Sequence, residues 1–192
     1  MIKAIIFDCF GVIISDGLEI FGRTLEQTDP EARAFIGETI RLNNLGVIEP
    51  AESNRRIAER LHMTLEEWRN QIDQGEVRDE ALLQWIQSLR KKYKTAMLSN
   101  IGRASIERRF SEDELAACFD VVVISGDLGI AKPDPAIYKH TAKQLDVDPD
   151  ECVFIDDREV YCSGAREVGM KAIVYESLPQ LRAELKIILQ KG

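Results

Sequence analysis

Five short runs of almost unbroken apolar residues recur along the chain: "IKAIIF" (2–7), "TAMLS" (95–99), "VVVIS" (121–125), "CVFID" (152–156) and "AIVY" (172–175). Each has the length of a β-strand and lacks the alternation of a strand with one wet face, so each needs cover on both faces. Parallel strands between two helical layers meet that demand, and the later intervening segments read as helices. Pro135 follows Asp134 as first helical residue and N-cap of "PAIYKHTAKQL", Gly169 stops "REVYCSGAREVG", and "LPQLRAELKIIL" is apolar at helical spacing. The pattern predicts an α/β fold with a doubly wound parallel sheet, whose ligands bind beyond the carboxyl ends of the strands.

Residues 16–79 interrupt the alternation. They hold no strand-like run and about four helical segments: Asp29-Pro30 opens one that Gly46 can close, Pro50 opens the next, and Thr64 with Glu67 forms a capping box in "TLEEW". The expected division is an α/β core of residues 1–15 and 80–192 with a helical cap at 16–79. Because the insertion leaves from the carboxyl end of the first strand, it is expected to hang over the site as a lid or specificity element.

A net charge of −8 and a pI near 4.9 disfavour nucleic acid or an anionic membrane as partner. A small phosphorylated metabolite stays admissible if a metal or a lysine reverses the sign locally. No apolar run approaches the length of a membrane span, and the expectation is a cytoplasmic protein, monomer or dimer. Cys9, Cys118, Cys152 and Cys162 form no CxxC pair and sit in or beside apolar sequence, as buried reduced thiols do.

Chemistry gathers at the strand ends. Asp8 follows the first run, Ser99 and Asn100 the second, and Asp156-Asp157 the fourth, while Lys132 lies in the loop after the third. In a doubly wound sheet these points face one crevice. Three carboxylates brought together repel, and a hard divalent cation with oxygen ligands relieves the repulsion; Mg²⁺ is the usual choice when a phosphate completes the shell. Lys132 and the metal would neutralise a phosphoryl group, Ser99 would hydrogen-bond it, and Asp8 would be free to attack phosphorus.

The elements "FDCFGV", "LSN", "DLGIAKPDPAIY" and "FIDDREVYCSGAREVGM" resemble, in order and spacing, the four motifs of the haloacid dehalogenase superfamily of hydrolases, and the insertion sits where that family carries its small helical cap. The resemblance implies that Asp8 is a nucleophile forming an aspartyl-phosphate, and that Ser99 and Lys132, with Asn100 beside them, bind the phosphoryl group. It also implies that Asp8, the backbone carbonyl of Phe10, Asp156 and Asp157 hold Mg²⁺, with Asp156 favoured as the direct ligand.

Two positions depart from the pattern. Family phosphatases carry, two residues after the nucleophile, an aspartate that protonates the leaving alcohol; here that residue is Phe10. General acid-base catalysis is worth about 10²- to 10⁴-fold, so either slow hydrolysis or a preference for easily released leaving groups is implied. Tyr161 stands where the family often has a further acid or amide. The phosphatase reading therefore has two rivals: a metal-independent 2-haloacid dehalogenase, toward which an aromatic residue at position 10 leans, and a catalytically impaired phosphate binder.

Outside the motifs the expectations are structural. His62 and His140 are read as surface or cap residues, and Trp68 and Trp85 as packing. The insertion's Arg23, Arg33, Arg41, Arg55, Arg56 and Arg60 are read mostly as partners of its many glutamates.

Overall fold

The computed structural model describes residues 1–190. Strands β1 (Ala4–Phe7), β2 (Lys94–Ser99), β3 (Val121–Ile124), β4 (Cys152–Asp156) and β5 (Lys171–Val174) form one parallel sheet in the order β3-β2-β1-β4-β5. Helices α1 (Gly17–Thr28), α2 (Pro30–Asn44), α3 (Pro50–Arg60) and α4 (Leu65–Asp73) make the insertion after β1. The remaining helices are α5 (Glu80–Leu89), α6 (Arg103–Glu107), α7 (Glu112–Cys118), α8 (Ser125–Leu128), α9 (Pro135–Gln144), α10 (Glu159–Glu167) and α11 (Leu178–Gln190).

The unbroken apolar runs are explained by what lies on each side. Ile5 and Phe7 of β1, Met97 of β2 and Ile155 of β4 pack with Leu82 and Ile86 of α5 and Leu181 of α11. Their sequence neighbours Ala4, Ile6, Leu98 and Phe154 pack on the opposite face with Ile137 and Tyr138 of α9 and Ala165 of α10. Successive side chains along a strand point to opposite faces, so two apolar layers require apolar residues at every position.

The inserted helices have a core of their own, built on Phe21, Ile36, Ile57, Ala58 and Trp68. Trp68 stacks edge-on against Phe21 at 5.6 Å and donates its indole N–H to Asn54 Oδ1 at 2.9 Å. Asp29 caps α2 by accepting from Ala32 N, and also pairs with Arg60 of α3. The Thr64–Glu67 capping box opens α4. Where the chain leaves and re-enters the core, the two connecting segments bond to each other: Ser15 N donates to Val77 O at 3.0 Å, Val77 N to Ser15 Oγ at 2.7 Å, and Asp79 N to Ile13 O at 2.9 Å. This paired neck fixes how the cap leaves the sheet.

Two details differ from the sequence pattern. Ser125 does not end β3 but begins α8, and its hydroxyl donates to Asn44 O of α2 at 2.6 Å. The link between β2 and β3, where hydropathy shows no strand, folds as α6 and α7; the Ser111–Glu114 capping box is the sequence signal for α7. All four cysteines are free and buried. Among the described residues no helix is long and apolar enough to cross a membrane.

Candidate active site and metal centre

Register brings the first two carboxylates together. Phe7 pairs with Ile155 of β4, so Asp8 and Asp156 fall one rung later on adjacent strands and on the same face. Neighbouring strands run about 4.8 Å apart, which makes the proximity a property of the backbone. β1 and β4 also flank the point where the strand order reverses, the place where ligands enter such sheets. Asp8 N donates to Ile155 O at 2.9 Å, locking the rung. Asp8 is 5% exposed and Asp156 fully buried.

Lys132 makes that burial tolerable. Its ammonium donates to Asp8 Oδ1 at 2.9 Å and to Asp156 Oδ2 at 2.6 Å, with the side chain wholly buried. The backbone of Lys132 is clamped by Asn100: Lys132 N donates to Asn100 Oδ1 at 2.8 Å, and Asn100 Nδ2 donates to Lys132 O at 2.9 Å. Burial works against the lysine's charge, but Asp8 and Asp156 outweigh it and hold the ammonium above the ordinary lysine range.

One ammonium cannot balance the whole cluster. Asp157 follows Asp156, and the ligand oxygens of Asp8, Asp156 and Asp157 all lie within 4.8 Å of one another. Three ionised carboxylates against one ammonium leave two negative charges, the charge of one divalent cation. The imbalance is visible in the acids. Burial, opposed by Lys132 and reinforced by Asp8, raises Asp156, while burial in the cleft and then the Asp8 and Asp16 carboxylates push Asp157 up to about 6.

The carboxylates differ in what they have left to offer. Asp8 Oδ1 also accepts from Cys9 N at 2.6 Å. Asp156 spends one oxygen on Lys132 and the other on Arg158 N at 2.9 Å. Asp157 keeps an open edge at the mouth of the cleft although its carboxylate lies against Gly11, and no other side chain binds it among the described residues. Gly11 accounts for how closely the first loop approaches Asp157: its φ is +84°, and a Cβ there would run into the Asp157 carboxylate. The bridge between Phe10 and Ile14 uses Cys9 O and Gly11 N, leaving the Phe10 carbonyl outside it.

Above the cluster lies a cavity of about 760 Å³ between core and cap. Asp8, Ser99, Asn100, Lys132 and Asp157 all line it, so the structure gathers every strand-end residue singled out in the sequence, with Asp156 buried immediately behind. The Ser99 hydroxyl makes no hydrogen bond among the described residues. Phe10 also faces the cavity, with the Arg109 guanidinium 4.9 Å from its ring centroid, and Arg109 in turn pairs with Glu76 of the neck. Tyr161 lies under the Lys132 ammonium at 4.9 Å and receives a hydrogen bond on its hydroxyl from Arg158 at 2.9 Å.

His62 and His140 lie outside the lining. The six cap arginines named from the sequence all pair with carboxylates, and the cap arginine that lines the cavity, Arg69, lies outside that group. Arg158 and Arg109 also went unmarked by sequence reasoning; adjacency to the aspartate pair was the one available signal for Arg158.

A family model described as haloacid dehalogenase-like hydrolase matches residues 2–169. The chain belongs to this family of hydrolases. Among its relatives, this haloacid dehalogenase-like hydrolase is 37% identical over 86 residues to the bifunctional riboflavin kinase/FMN phosphatase of Arabidopsis thaliana, covering 44% of this chain and 23% of the relative. It is 28% identical over 123 residues to the N-acylneuraminate-9-phosphatase of Rattus norvegicus, covering 64% and 48%. The chain thus spans about half or less of the length of these relatives. A HAD family enzyme from Bacteroides thetaiotaomicron, solved in complex with magnesium and inorganic phosphate, aligns over 94% of this chain and 99% of its own, with 25% identity and a TM-score of 0.74.

Removing Lys132 should be costly, because it leaves two buried carboxylates facing each other. Lys132→Met should lose about 3–5 kcal/mol of unfolding free energy, measured by urea denaturation without divalent metal. A loss below about 1 kcal/mol would show that the pair does not depend on the lysine.

Proposed function

We propose that this hydrolase is a Mg²⁺-dependent phosphatase of small phosphorylated metabolites that works through Asp8. The observation carrying the reading is the cluster itself: three converging carboxylates and one ammonium, with two negative charges in surplus, beneath a cavity of metabolite size. The donor set is all oxygen, which suits Mg²⁺. Asp8, Asp157 and the Phe10 carbonyl would hold it, with Asp156, fixed by Lys132, completing the acidic wall behind. Bound there, Mg²⁺ supplies a Lewis acid that neutralises charge on the phosphoryl oxygens. The magnesium and phosphate in the Bacteroides structure and the phosphatase names of the two relatives support this choice.

The chain's own residues divide the work. Asp8 Oδ1 is restrained by Cys9 N and Lys132, which orients the carboxylate and leaves Oδ2 to attack phosphorus and form an aspartyl-phosphate. Two of the three Lys132 N–H bonds are engaged, so the third is available to a phosphoryl oxygen. Ser99 offers the free hydroxyl beside it. Burial keeps the neighbouring Cys9 thiol protonated, its pKa pushed well up, so it does not compete as a nucleophile.

Phe10 supplies no proton to the leaving oxygen, so good leaving groups are favoured. An aromatic residue at this position is the observation behind the dehalogenase alternative. Against it, an attack on carbon has no use for Asp157 or for the surplus of negative charge, and the phosphatase reading uses both.

Hydrolysis of p-nitrophenyl phosphate should require Mg²⁺, stop on chelation with EDTA, and disappear in Asp8→Asn. Unchanged turnover in that variant would remove Asp8 from the mechanism, and metal-free halide release from 2-chloropropionate would replace the reading with the dehalogenase. A separate comparison concerns position 10. Phe10→Asp should raise turnover of alkyl phosphates, by up to about 10²-fold, and that of aryl phosphates far less; no gain on alkyl substrates would mean that another group already serves as acid.

A further inference from the structure

In this acidic chain arginine is seldom left alone. Of its fifteen arginines, twelve form ion pairs with a carboxylate among the described residues. The other three are Arg69, Arg158 and Arg182. Arg182 stacks on Trp85 at 5.2 Å, in the layer that packs beneath α11. Arg69 and Arg158 both line the cavity above the carboxylate cluster.

They reach it from opposite walls. Arg69 follows Trp68 on α4 in the cap, while Arg158 follows Asp157 at the start of α10 in the core. Arg158 is held in a defined orientation, its guanidinium 4.6 Å from the Tyr161 ring centroid and donating to the Tyr161 hydroxyl. Arg108 and Arg109 line the same space but are satisfied by Asp73 and Glu76. Of the acids in the lining outside the cluster, Glu76 is committed to Arg109, and Asp16 accepts from Glu19 N as N-cap of α1. Glu49 alone has no partner among the described residues.

The cavity is also far larger than a phosphoryl group requires: about 760 Å³ is the size of a site for a whole small molecule. Its floor already has the lysine, hydroxyl and acids that deal with phosphorus. Two guanidiniums without a carboxylate partner among the described residues remain for the rest of the substrate, and a guanidinium pairs with carboxylate or phosphate through parallel charge-assisted hydrogen bonds. We propose that the substrate carries a second anionic group, a carboxylate or a second phosphate, remote from the phosphoryl group that is removed, and that Arg158 and Arg69 receive it. This rests on the phosphatase reading and narrows its substrate class to doubly anionic phosphate esters.

The test is calorimetric titration in the presence of Mg²⁺, run on the full chain carrying Asp8→Asn so that affinity is read apart from turnover. The probes are 6-phosphogluconate, sorbitol 6-phosphate and glucosamine 6-phosphate, six-carbon phosphates that carry, away from the phosphate, a carboxylate, only hydroxyls, and an ammonium on C2 of a ring. A second comparison sets fructose 1,6-bisphosphate against fructose 6-phosphate and separates a second phosphate from a carboxylate. At least one doubly anionic probe should bind about 10- to 100-fold tighter than its singly charged match. Arg69→Gln and Arg158→Gln should each shrink that ratio, and together bring it close to one. Equal affinities, tighter binding of glucosamine 6-phosphate, no binding by any probe, or a ratio that survives both substitutions would overturn the proposal. Failure of the phosphatase reading would show separately, as wild-type protein inert toward every phosphate ester while the affinity ratio remains measurable.

Discussion

The ammonium of Lys132 between Asp8 and Asp156 is the interaction on which the rest of the site depends. A parallel sheet with β1 beside β4 places these carboxylates on neighbouring rungs, and burying two like charges that close would oppose folding unless a countercharge came with them. Lys132 supplies it from a loop outside the sheet, and Asn100 at the end of β2 clamps that loop in place. The segments that follow or end four strands, β1 to β4, are thereby tied to one charge. The compensation is incomplete, since Asp157 adds a third carboxylate, and the surplus makes the cluster compatible with a divalent cation.

A second constraint runs from position 10 to the cap. Phe10 packs under Arg109, and Arg109 is gripped by Glu76, which belongs to the neck through which the inserted helices join the core. An aspartate is too short to fill that place against the guanidinium face. The aromatic ring at position 10 is therefore part of the joint between the loop after β1 and the cap. It places a cation–π contact there and leaves the carboxylate cluster and its lysine intact.

The fold was legible where burial on both faces forces apolar residues at every strand position, and the capping boxes and Pro-initiated helices of the insertion were equally plain. The candidate site was legible for a related reason: strand ends in such a sheet share one crevice, so Asp8, Ser99, Lys132 and Asp156-Asp157 could be gathered without coordinates. What stayed hidden were pairings between distant segments. Asn100 holds the backbone of a residue 32 positions away, and Arg109 meets a glutamate 33 positions away. Nothing local distinguishes Arg69 from its paired neighbours in a helical segment rich in both charges. The difference in openness between Asp156 and Asp157 was likewise hidden: Asp156, favoured from sequence as the direct ligand, accepts from Lys132 and from Arg158 N, and Asp157 is the more open of the two.

Direct measurement of metal binding tests this electrostatic account most closely. Titration calorimetry with Mg²⁺ should show one ion bound per chain, and Asp157→Asn should weaken that binding by about tenfold or more, since it removes one of the two surplus charges and the most open carboxylate. Binding of equal strength in the variant, or no Mg²⁺ binding by the unaltered chain, would contradict it.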